Sequence, residues 1–172
     1  MTAHAPGGNT VSYTIRPYRP EDRPGVIAVI ESVYREYNYV MGFDEFDRDL
    51  VDIPSTYQDS GGEFWVLESG GTVAGTTAVL TKDAETCELK RLYLLKSLRG
   101  RGLGRTLAGT VLDWAREHGF RRIVLWSDTL FEPAHMLYVK CGFTPTGKTR
   151  SIDPLNPTCV ERFFVKENLR EE

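Results

Sequence analysis

Two hydrophobic periods alternate along the chain. Tyr13 to Arg16 is short and β-rich, and Pro17 and Pro20 end it before Glu21-Asp22-Arg23-Pro24, an acidic, proline-bearing helix start. Within that helix Val26, Val29, Ile30, Val33 and Tyr37 recur at three- and four-residue steps, an apolar stripe that must face a sheet. Tyr34 and Tyr37 read as core, whereas Tyr39 and Phe43, just past the helix, fit core and pocket lining equally. Asp44, Glu45, Asp47, Asp49 and Asp52 then alternate with Phe46, Leu50, Val51 and Ile53, predicting a short acidic helix or loop that Pro54 stops. Its charge is most simply a solvated face, or alternatively an attractor for a cationic substrate.

From Glu63 the period becomes that of strands. Phe64 to Glu68, a Gly70-Gly71 turn, Thr72 to Leu80, a turn at Lys82-Asp83 and Thr86 to Leu95 predict an antiparallel meander. A glycine-rich loop follows, and then Leu103, Leu107, Val111, Ala115 and His118 mark a helix closed by Gly119. Arg122 to Trp126 reads as a buried strand, so strand, loop, helix and strand form a parallel crossover. Pro133 to Lys140 predicts a helix ended by Gly142, and Phe143 to Lys148 and Cys159 to Lys166 two last strands around Pro154 and Pro157. The pattern is a mixed α/β sheet with helices on both faces, a single domain over residues 13–167 with tails at 1–12 and 168–172.

Composition narrows the function. A chain of 172 residues buries one adequate core, and a net charge of −3 gives no global case for nucleic acid. No apolar run approaches the roughly 18 residues of a membrane span, and no leader pattern opens the sequence, which points to the cytoplasm. Cys87, Cys141 and Cys159 are odd in number and far apart, suggesting free thiols rather than disulfides or a metal site.

The loop Arg99-Gly100-Arg101-Gly102-Leu103-Gly104-Arg105 carries the candidate chemistry. Its glycines let backbone N–H groups approach an anion, and the following helix start adds unpaired donors. A P-loop would end in Gly-Lys-Ser/Thr, whereas this loop ends Gly104-Arg105-Thr106; the dinucleotide fingerprint would need a third glycine at Arg105.

Glu88-Leu89-Lys90-Arg91-Leu92-Tyr93-Leu94 before the loop, Arg99-x-x-Gly102-x-Gly104 within it, and Ala134-x-x-Leu137-Tyr138-x-x-x-Gly142-Phe143 after it together resemble the GNAT family of acyl-CoA-dependent N-acetyltransferases, from Tyr13 to about Lys166. The resemblance implies a GNAT-type, mostly antiparallel sheet of about seven strands flanked by about four helices. It implies acetyl-CoA as cofactor, its pyrophosphate on Arg99, Gly100, Arg101, Gly102, Leu103, Gly104 and Arg105, and its pantetheine arm along Leu92 and Leu94. A bulge near Leu94 would splay that strand from the next and offer an amide to the reaction's oxyanion. Many members carry Asn seven residues before the tyrosine; this chain has Phe131, which either packs on the pantetheine or fills core.

By the same resemblance Glu88 is the general base and Tyr138 the acid that protonates the thiolate, with a small-molecule or amino-acid amine as acceptor and a homodimer as an oligomeric option. Glu88 also reads as a salt-bridged residue, paired with Lys90 or an arginine, and Lys90 as a group that holds Glu88 ionised or binds a substrate carboxylate. His4, His118 and His135 form no catalytic pair by spacing. A non-catalytic acyl-CoA sensor of the same fold is the alternative, and a nucleic-acid binder using Arg91, Arg99, Arg101 and Arg105 a weaker third.

Overall fold

The β- and α-periodic stretches settle into one sheet and its covering helices in a computed structural model that describes residues 12–171. The strands are β1 (Tyr13–Pro17), β2 (Glu63–Ser69), β3 (Thr72–Thr81), β4 (Thr86–Leu94), β5 (Arg122–Asp128), β6 (Thr144–Arg150) and β7 (Glu161–Lys166). The helices are α1 (Arg23–Glu36), α2 (Leu103–Glu117) and α3 (Glu132–Lys140). Strand order is β1-β2-β3-β4-β5-β7-β6, antiparallel except for the β4–β5 pair that the α2 crossover joins.

The apolar stripes decide the layers. Val26, Ile30 and Tyr34 of α1 pack with Phe64, Val66 and Ala78 on one face of the sheet. On the other, Ala108, Val111 and Ala115 of α2 meet Cys87, Leu89, Ile123 and Leu125, with Tyr138 of α3 in the same cluster. Each side chain so buried contributes about 1.5–3 kcal/mol for a Val, Leu or Phe, so the two stripes fix the helices on opposite faces.

Two expectations change. The short acidic helix or loop predicted before Pro54 is a 3-10 turn at Arg48–Leu50, followed by one π turn at Pro54–Gln58. Pro54 opens that turn rather than stopping a helix, because its missing N–H falls where a turn needs no donor. The tail expected at 168–172 instead returns to the core: Leu169 is buried, its amide bonds Arg121 O at 3.0 Å, and Arg170 Nε bonds Gly119 O at 2.6 Å. The expected N-terminal tail lies outside the described residues, apart from Ser12.

The bulge lies earlier than expected. Ala78 faces Lys90 while Thr76 faces Tyr93, so β4 uses one residue more than β3. Arg91 is the extra residue, with φ of +54°, and its carbonyl accepts Thr76 Oγ1 at 2.7 Å. Leu89 and Leu92 therefore both face α2, leaving Lys90 and Arg91 together on the α1 face.

Candidate active site

β4 and β5 pair only from Thr86 to Glu88 against Arg122 to Val124, and from Leu89 onward β4 has no β5 partner. The strands part into a wedge lined by Lys90, Leu92, Trp126, Asp128, Phe131 and Tyr138, among others. A strand edge left unpaired beside a cavity offers backbone amides and carbonyls to an extended ligand. Leu92 lies on that edge. Leu94 is buried against Leu103 and Leu107 instead, and its carbonyl accepts Arg99 Nε at 3.1 Å.

Beyond β4, Gly102 starts α2 in the left-handed region, with φ of +78° and no side-chain cap. The amides of Leu103, Gly104 and Arg105 thus begin the helix without intrahelical acceptors, beside a dipole worth about half a positive charge. Gly100 also has a positive φ, +74°, and a side chain at either glycine would meet open space, so conformation rather than crowding demands them. Gly104 differs: a Cβ there would press on Leu137 at 3.3 Å, so this glycine seats α2 on α3.

The arginines divide. Arg99 forks onto Glu36 with both nitrogens at 2.7 Å, tying the loop to the end of α1. Arg91, far from a nucleic-acid surface, is buried in a cage of its own. Its guanidinium bonds Asp47 at 2.9 Å, Asp49 through Nε at 2.9 Å and the Phe46 carbonyl at 3.2 Å. Asp47 also accepts Tyr34 OH and Gly42 N at 2.8 Å, and Tyr57 OH donates to Asp49. The acidic segment divides: Asp44, Glu45 and Asp52 are exposed, as a solvated face would be, whereas Asp47 and Asp49 clamp residues 42–58 onto the β4 bulge. Arg101 and Arg105 are exposed and make no ion pair among the described residues.

Glu88 and Tyr138 do not meet. Tyr138 is buried in the wedge with Ser127 beside its phenol, and burial raises its pKa above the usual tyrosine value. Glu88 sits before the wedge opens, and its partner is Lys82, at 3.1 Å, not Lys90 or an arginine. It faces an outer groove with Lys90, Trp126 and Arg150. Lys90 lines both spaces, its pKa lowered by burial against the opposing pull of Asp49.

Sequence spacing missed the wall opposite Tyr138. Asp128, ending β5, accepts Tyr39 OH at 2.7 Å and Leu130 N at 2.8 Å. Phe131 tilts against Tyr37, ring centres 4.7 Å apart, and lines the wedge rather than core alone. Asn156 grips Val40 through both backbone groups, at 2.9 and 2.8 Å, fastening this wall to the segment after α1.

Residues 27–143 match the acetyltransferase (GNAT) family. The chain belongs to that family. It is 34% identical over 128 residues to the N-acetyltransferase YjgM of Escherichia coli, covering 72% of this chain and 77% of that protein. It is 39% identical over 105 residues to N-acetyltransferase 8F1 of Rattus norvegicus, spanning about half that relative's length (48%). Among solved structures, an acetyltransferase from Streptococcus agalactiae superimposes with a TM-score of 0.79 at 27% identity, over 90% of this chain and 98% of that one. GNAT enzymes use acetyl-CoA as acyl donor.

The residues present fit that cofactor. An uncapped helix start, two arginines with no ion pair among the described residues and an unpaired strand edge supply donors for a pyrophosphate and for the amides of a pantetheine arm. No helix among the described residues is long and apolar enough to cross a membrane.

Proposed function

We propose that this GNAT acetyltransferase transfers acetyl groups to a primary amine of a small molecule or amino acid by direct attack. The observation that carries the reading is the wedge between β4 and β5, which sets the free edge of β4 beside Tyr138, with the uncapped start of α2 following β4 in the chain. When bound, acetyl-CoA supplies an electrophilic thioester carbonyl and a thiolate leaving group.

The amides of residues 100–105, with Arg101 and Arg105, hold the pyrophosphate, and Leu92 carries the pantetheine arm along β4. Tyr138 gives its proton to the departing sulfur. Burial keeps the phenol protonated at neutral pH, and although transfer to a thiolate near 8.5 is uphill, the same dry wall raises the thiolate's basicity too. Direct attack fits the thiols better than an acetylated enzyme does. Burial and the neighbouring Asp128 carboxylate push the Cys159 thiol up, and burial lifts Cys87 to about 12, so neither is a ready nucleophile. Three free thiols suit a reducing cytoplasm.

Thiol release from acetyl-CoA in the presence of alkylamines, amino acids, aminoglycosides and peptide N-termini tests the reading. Release with at least one amine is expected. Tight acetyl-CoA binding with no release from any of them would make the chain a sensor.

A further inference from the structure

We propose that Asp128 is a catalytic residue that receives the acceptor as an ammonium ion and takes its proton, with Tyr39 positioning it; the inference rests on the amine-acetyltransferase reading above. The charge around Asp128 is unbalanced. Asp128 is 4% exposed, and no cation lies within ion-pair distance among the described residues. The neighbouring carboxylates are each accounted for. Glu161, its direct partner across β5 and β7, is neutralised by Arg150 at 2.6 Å, and Glu88 by Lys82 at 3.1 Å. Asp153 turns its oxygens to Asn156 Nδ2 at 2.7 Å and to the amides of its own turn.

Asp128 accepts Tyr39 OH on Oδ2 at 2.7 Å and Leu130 N on Oδ1 at 2.8 Å, with the Cys159 thiol as a further, weaker donor beside it. Two carboxylate oxygens offer about four acceptor sites, so room is left for an ammonium donor. A buried carboxylate without a counter-ion is costly unless a cation arrives, and a primary ammonium brings both charge and donors. The titratable groups facing it are Tyr37 and Tyr39 from the end of α1, His135 and Tyr138 from α3, Cys159 and Glu161 from the entry to β7, and Lys90 and Arg91 from β4 across the wedge. Burial lowers the pKa of His135, Arg91 is engaged by Asp47 and Asp49, and Lys90 makes no ion pair with Asp128.

Alternation along β5 places the acid and base on opposite sides of the sheet. Ser127 points to Tyr138, and Asp128 to Tyr39. One proton passes from the ammonium nitrogen to Asp128, freeing the lone pair. As the carbon–nitrogen bond forms and the carbon–sulfur bond breaks, Tyr138 protonates the sulfur, the nitrogen's second surplus proton replaces the one Tyr138 gave, and Asp128 returns its proton to water.

The test compares wild type with Asp128→Asn, which keeps the shape, still accepts Leu130 N–H on Oδ1 and turns the Tyr39 contact round so that Nδ2 donates to the phenol oxygen, on the alkylamines of the thiol-release panel and on hydroxylamine, an amine already uncharged at neutral pH. Coenzyme A affinity by calorimetry and the melting temperature are expected to hold, showing that the wedge is intact. With alkylamines at neutral pH, kcat/KM is expected to fall about 100-fold or more and to climb about tenfold per pH unit, as the solution supplies neutral amine in place of the base. With hydroxylamine the loss is expected to be under about tenfold. Equal losses for both amine types, or a linear pH dependence in Glu88→Gln instead, would overturn the assignment. If wild type acetylates no amine at all, the underlying reading fails and takes this inference with it. Tyr39→Phe is expected to lower kcat while keeping the pH profile of wild type; a profile like that of Asp128→Asn would make Tyr39 the base.

Discussion

The donor and acceptor sides of the wedge are built from different materials. The donor side is mostly backbone: two glycines in left-handed conformation, an uncapped helix start and an unpaired strand edge, with few side chains aimed at the ligand. The acceptor side is side chains bonded to side chains: Arg91 with Asp47 and Asp49, Tyr39 with Asp128, Asn156 with Val40. On the function proposed above, backbone donors would recognise what every acyl-CoA shares, whereas side-chain cages could be rebuilt for each acceptor.

That contrast can be broken from either side. The largest effect is expected from Arg91→Met, which leaves Asp47 and Asp49 buried without their cation. Urea denaturation at neutral pH is expected to show a loss of about 3–5 kcal/mol, the usual result of breaking a buried ion pair from one side. A loss under about 1 kcal/mol, the range of surface pairs, would mean that the cage does not clamp residues 42–58. Next comes Tyr138→Phe, with kcat lowered about 100-fold and coenzyme A affinity intact. Unchanged turnover would remove the phenol from the mechanism.

Gly102→Ala probes the donor side more gently. Open space surrounds the added methyl, so the expected loss of about 1–2 kcal/mol comes from the left-handed backbone, and coenzyme A affinity falls with it while the acceptor cage stays intact. The smallest effect concerns pH. Burial alone would raise the Asp49 carboxyl, but Arg91 holds it below the ordinary range. A folded pKa below the unfolded value of about 3.9 means the contribution is complete above about pH 4 and lost as pH falls through the folded value. Stability measured down an acid series is expected to show this loss in wild type, and Arg91→Met is expected to reverse its sign, because burial then raises the Asp49 carboxyl and protonation relieves the cost.

The same contrast explains what the sequence revealed. Periodicity located the strands and α-helices because each stripe reports its own face, and the loop was readable because glycines and arginines stand together in seven consecutive residues. The acceptor wall was not, since Tyr39 and Asp128 lie 89 positions apart and neither belongs to a local pattern. Arg91 misled for a related reason. Strict alternation would put it on the α2 face, and only the bulge, a product of pairing with β3, turns it inward to the acidic segment. Glu88 fits its motif, but the turn that brings Lys82 to its carboxylate and the point where β5 departs depend on tertiary structure. Leu169 escaped because one buried leucine at a chain end makes no period.

The most direct measurement is a crystal structure of the protein with coenzyme A and an amine drawn from the thiol-release panel. The account predicts pyrophosphate oxygens on the amides of residues 100–105 and the amine nitrogen within hydrogen-bond distance of Asp128. An amine nitrogen resting on Glu88, or a pyrophosphate away from the start of α2, would contradict it.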